Sequence, residues 1–72
     1  MRSLYKLKTE EVARLIEIQG LKKYWVAEVA GIHKTTLKRW LSGEIQFVSG
    51  HRCLSLARVL TTDLQTIAEY VA

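Results

Sequence analysis

The stretch Lys23–Ser42 narrows what this chain can fold into more than any other feature. Within it Ala27 stands four places before Gly31, and apolar residues occupy Val26, Ile32, Leu37 and Trp40. Glycine reaches φ > 0 at no steric cost, which lets a helix reverse within a few residues. Ala27 lets a second helix come close. The pattern predicts two short helices, about Lys23–Ala30 and Lys34–Ser42, with the four apolar residues filling the angle between them.

The flanks read as further helices. Thr9 is placed to cap one from about Glu10 to Gln19, with Val12, Leu15, Ile16 and Gln19 on one face and Gly20 as its stop. Val26, Val29 and Ala30 form the apolar stripe of the second helix; Leu37, Trp40 and Leu41 turn inward on the third. Residues 44–50 read as extended or irregular. A fourth helix, about His51 to Leu60, carries Leu54, Leu56, Ala57 and Leu60. Thr61 and Thr62 interrupt the pattern, and Asp63 caps a fifth helix with Leu64, Ile67, Ala68 and Val71 as its apolar set. The expectation is an all-α, compact five-helix domain over residues 1–72.

At 72 residues such a domain buries only about 60% of its unfolded surface, which argues against an enclosed catalytic pocket. With 49% apolar residues and no proline, the chain falls outside disordered and collagen-like classes. Cys53 is the only cysteine, so an intramolecular disulfide and a cysteine-based zinc site are excluded. Residues 1–15 lack the apolar core of a signal peptide, and no run is long enough to span a membrane; the expectation is a cytoplasmic protein. Glu10, Glu11 and Glu17 have no acid/base partner, His33 and His51 read as ordinary polar residues rather than ligands, and Cys53 as a core filler. No enzyme activity, metal or cofactor is expected.

The net charge is +4, and its placement is informative. Lys22, Lys23, Lys34, Lys38 and Arg39 lie between Gly20 and Trp40 against one acid, Glu28, while bases and acids elsewhere cancel. This suits either a solvated helix face or a surface that meets a polyanion. Combined with two helices about a tight turn, it points to a helix-turn-helix over about residues 23–42 whose second helix enters a DNA major groove.

The chain resembles the lambdoid phage Cro and repressor-type helix-turn-helix family over about Val12 to Val71. Gly20-Leu21 precedes the motif, Trp40-Leu-Ser-Gly43 closes its second helix, and Leu56-Ala57-Arg-Val-Leu60 with Asp63-Leu-Gln-Thr-Ile67 match the last two helices. There are departures. Lys22 and His33 stand where relatives place Ser, Thr or Asn caps, and neither accepts a capping bond well when charged. Ile16 and Leu41 stand where many relatives carry an Arg–Glu pair, so an apolar contact is expected in its place. The usual proline after the second helix is missing, and the loop Glu44–Gly50 is about two residues longer.

At 100° per residue, Thr35, Lys38, Arg39 and Ser42 centre the outward arc of the third helix, with Lys34 at its edge and His33 at its start. The expected base-reading set is His33, Lys34, Thr35, Lys38 and Arg39. The expected phosphate contacts are Lys22 and Lys23, where the family grips the backbone, together with Thr36 and Ser42. His33 also reads as a plain solvent-facing turn residue. Tyr24 and Trp25 either cover Leu4 and Tyr5 or flank DNA or a partner; the intramolecular reading is preferred.

The resemblance implies a complete small transcriptional regulator, a repressor of bacterial or phage style, acting on double-stranded DNA. Relatives usually pair on a pseudo-palindromic operator. With no further segment after Val71, pairing is expected to use Leu64, Ile67, Tyr70 and Val71, giving a homodimer that forms on DNA. The rival reading is a helical protein-interaction module, an antitoxin-like or adaptor domain.

Overall fold

The computed structural model describes residues 3–72. Strand β1 (Leu4–Leu7) leads into α1 (Thr9–Ile18), α2 (Lys23–Ala30), α3 (Lys34–Ser42), strand β2 (Phe47–Ser49), α4 (Gly50–Val59), α5 (Leu64–Ile67) and strand β3 (Ala68–Tyr70). Five helices are present as expected, but the all-α expectation is corrected: the described residues also form a three-stranded antiparallel sheet of order β2-β1-β3. In it Tyr5 lies opposite both Val48 and Tyr70. Alternation along the strands sorts their side chains. Leu7, Val48 and Ala68 are buried, whereas Lys6 and its cross-strand partners Phe47 and Glu69 face outward. The ring of Tyr5 meets that of Tyr70 edge-on, with centroids 5.4 Å apart.

The fifth helix is shorter than its apolar spacing suggests. It makes a single turn, and at Ala68 the backbone becomes extended (φ −151°, ψ 154°). What competes with the helix is β1, whose backbone groups need partners. Lys8 N–H donates to Ile67 O at 2.7 Å, Val71 N–H to Leu4 O at 2.8 Å, and Leu4 N–H to Ala72 O at 2.7 Å.

Helix ends follow the chemistry of the turn residues, with two corrections. Gly31 takes the left-handed conformation (φ 75°) between α2 and α3, as the motif requires. Thr9 is the first residue of α1 rather than its cap; Lys8 holds the cap position and no side chain bonds there. Asp63 precedes α5 but makes no side-chain cap bond either. After α4 the left-handed residue is Thr61 (φ 55°). Its N–H donates to Arg58 O at 3.2 Å and that of Thr62 to Ala57 O at 3.0 Å, which closes the helix end.

The core draws Val12 and Ile16 from α1, Val26 and Ala27 from α2, Leu37 and Trp40 from α3, and Cys53, Leu56, Ala57 and Leu60 from α4 and its end. On α2 the expected Val29 is exposed and Ala27 takes its place; on α4 Leu54 is exposed and Cys53 is inside. Cys53, Leu56, Ala57 and Leu60 complete an i, i+3, i+4, i+7 stripe. Ile16 is buried and Leu41 packs half-buried against the same core, so both positions that carry the ion pair in many relatives are apolar and inward here. Gln19, expected on the apolar face of the first helix, is the exposed residue that ends it, and its side-chain amide donates to Leu60 O at 2.7 Å. Among the described residues, no helix is long and apolar enough to cross a membrane.

Candidate nucleic-acid interface

Every candidate functional side chain on α3 owes its direction to Leu37 and Trp40. Both are buried, which fixes the rotation of the helix and leaves Lys34, Thr35, Lys38, Arg39 and Ser42 exposed on the other side. Thr36 is half-buried on the flank of that arc. His33 precedes α3 with extended backbone (φ −74°, ψ 145°). Its Nδ1 accepts a bond from Thr35 N–H at 3.1 Å. His33 thus caps the start of α3 through a ring nitrogen that carries no proton, of which the charged form has none. Capping through Nδ1 leaves the ring proton on Nε2, a donor free to meet an outside acceptor. At the start of α2, Lys22 is extended and makes no cap bond, as expected.

Two shallow grooves run beside α3. The one shared with α2 is lined by Lys23, Tyr24, Lys34, Thr35, Leu37 and Lys38. The other, toward α4, includes Thr36, Trp40, Ile45, Phe47, His51 and Arg52. Reading charge along the sequence misses His51 and Arg52 as members of this surface, because Arg52 is offset there by distant acids. Their position in the first turn of α4 is the signal that finds them.

Near the end of α3 two polar groups are already engaged. The Ser42 hydroxyl donates to Arg39 O at 3.0 Å and accepts from Glu44 N–H at 3.3 Å, so it serves the helix end. Arg39 Nε lies 3.7 Å from a Glu44 carboxylate oxygen. Both side chains are exposed, so this pair is weak, and Arg39 can leave it for a stronger acceptor. Lys23, Lys34 and Lys38 have no carboxylate partner among the described residues.

Other expected site residues fare differently. Tyr24 and Trp25 are exposed, and β1 packs with β2, β3 and α4; the preferred reading, that the two rings cover Leu4 and Tyr5, is corrected. Of the residues expected to pair two copies, Ile67 is fully buried and unavailable, Leu64 packs half-buried on the core, and Tyr70 and Val71 are exposed. Cys53 is completely buried, and burial pushes its thiol up to about 11. No group of three or more His, Cys, Asp or Glu side chains that could hold a metal ion occurs among the described residues.

Two helices about a left-handed glycine, the second presenting an exposed basic face, have the geometry of a helix-turn-helix nucleic-acid-binding domain. The family model for the Cro/C1-type HTH DNA-binding domain matches residues 1–72, and the chain belongs to that family. Among solved structures, a transcriptional regulator from Listeria innocua is similar in fold, with a TM-score of 0.74 and 24% sequence identity. The similarity covers 93% of this chain and 63% of that one, so the chain spans under two thirds of that regulator's length. No curated protein sequence matches significantly.

Proposed function

We propose that this chain is a sequence-specific double-stranded DNA-binding transcriptional regulator that lays α3 in the major groove. The observation that carries the reading is the exposed arc of Lys34, Thr35, Lys38 and Arg39 set opposite buried Leu37 and Trp40. Lysine and arginine donate to guanine O6 and N7, threonine bonds a base edge through its hydroxyl or packs its methyl on a thymine methyl, and the His33 Nε2–H donates to an acceptor at the helix start. Lys22 and Lys23 grip phosphate on one side of α3; Thr36, His51 and Arg52 line the groove on the other. Occupying promoter DNA is enough to block transcription, so repression is the regulatory mode that such a surface performs unaided.

A single major-groove contact buries too little surface for a tight specific site. Two copies on half-sites about 10–10.5 base pairs apart would double it. Tyr70 and Val71, exposed at the end of β3, are the pairing residues that remain from the expected set. Sedimentation with and without a palindromic duplex tests this: two copies per two-site duplex are expected, and a strict one-to-one complex at saturation removes the dimer.

Electrophoretic shift of a mixed-sequence duplex over a salt series tests DNA binding itself. With about five phosphate contacts, log affinity should fall against log salt with a slope near −4 to −5. No shift at any salt would favour a protein-interaction module instead. Selection of bound sites from a random oligonucleotide pool would then define the operator.

A further inference from the structure

Tyr24 is the second residue of α2, and nothing in the core requires it. Val26 and Ala27 supply the buried face of that helix, while the Tyr24 side chain is left outside, with 62% of the residue exposed. Its surroundings are distinctive. It lines the α2–α3 groove with Lys23, Lys34, Thr35, Leu37 and Lys38. No acid lines this groove, and none of its three lysines has a carboxylate partner among the described residues. No side chain caps the start of α2, so the first backbone N–H groups of the helix have no side-chain partner. A groove with cationic walls, an open helix start and one amphipathic ring suits an anion carried on an apolar frame. A deoxyribose–phosphate unit has that composition.

We propose that Tyr24 is a DNA-backbone contact: its hydroxyl donates to a phosphate oxygen held in the α2–α3 groove, and its ring packs on the adjoining sugar. The proposal rests on the DNA-binding reading above. It separates two contributions to one grip. Lys23 neutralises charge and releases counterions, whereas Tyr24 adds a neutral, directional bond that fixes where α3 lies along the groove. A hydrogen bond to a charged acceptor is among the stronger ones.

The two contributions predict different behaviour in the same titration. Binding to a mixed-sequence duplex is measured across a salt series for the wild-type chain, Tyr24→Phe and Lys23→Ala. Tyr24→Phe removes one exposed oxygen, so its thermal midpoint should equal that of the wild type. It should bind roughly tenfold more weakly at every salt concentration with an unchanged slope. Lys23→Ala should bind more weakly with a slope smaller by about one. Tyr24→Phe binding within twofold of wild type, or changing the slope, overturns the proposal and leaves DNA binding standing. A wild-type chain that fails to shift the duplex removes the DNA-binding reading and this proposal with it.

Discussion

At the scale of single residues, Arg39 and Lys23 carry like charge, and the proposed function gives them different tasks. Arg39 projects from the centre of the outward arc of α3, tethered only to exposed Glu44. Arg39→Ala should relax discrimination at one base pair by roughly 1–3 kcal/mol, whereas Lys23→Ala should weaken binding to all sequences alike. Competition among operator variants checks this; an unchanged ranking with Arg39→Ala would remove α3 as the reader. Cys53 offers a contrast in the core. Its thiol stays neutral up to about 11 because the fold withholds water from the thiolate. The folded value lies above the unfolded one, so this contribution to stability is complete below the unfolded thiol's range, about 8.5, and is lost as pH rises toward the folded value. Native protein should label with maleimide at neutral pH only as fast as it opens; labelling at the rate of a free thiol would place Cys53 at the surface. Both placements were legible in the sequence, the exposure of Arg39 from helical phase and the burial of Cys53 from its residue type. The cap made by His33 was not. It depends on a neutral ring turned toward one N–H, which residue type alone does not specify.

At the scale of elements, helices were more legible than strands, for a physical reason. A helix closes its hydrogen bonds within four residues, so its apolar period and its glycine stops are written locally. Gly20, Gly31 and Gly43 all take positive φ, at the ends the sequence marks. The strands hold three or four residues each, and their partners lie far away, as in Leu4↔Ser49 and Tyr5↔Tyr70. Pairings so distant leave no local trace. The spacing Leu64, Ile67, Ala68, Val71 suits a helix as well as it suits what is present, and β1 decides the outcome. Two predictions belong here. Trp40 anchors α3 at 2% exposure, so Trp40→Ala should cost roughly 3–5 kcal/mol in a denaturant titration; an unchanged midpoint would mean that α3 is rotated. Thr61 ends α4 in a left-handed conformation that costs a β-branched residue roughly 1–2 kcal/mol. Thr61→Gly should therefore raise the thermal midpoint despite glycine's added freedom when unfolded, and a lower midpoint would place Thr61 in ordinary backbone.

At the scale of the whole molecule, the segment on either side of the helices meets in one sheet, with β1 between β2 and β3. This gives synthesis an order. β1 leaves the ribosome before the helices and α1 to α4 can form by local contacts, yet one edge of β1 stays open until residues 68–72 emerge. The ladder with β3 then closes it, flanked by bonds from Lys8 N–H to Ile67 O, from Val71 N–H to Leu4 O and from Leu4 N–H to Ala72 O. A chain stalled with its last visible residue before Ala68 would carry packed helices beside a strand paired with β2 on one edge and open on the other, a template for joining another chain. Nascent chains arrested at that point should be cut readily within residues 3–8 by added protease, and chains arrested after Ala72 has emerged should resist. Equal cleavage of the two would mean that the sheet is not what secures the first strand. The stretch that the helical pattern ignores thus acts as a latch, and it is fastened last.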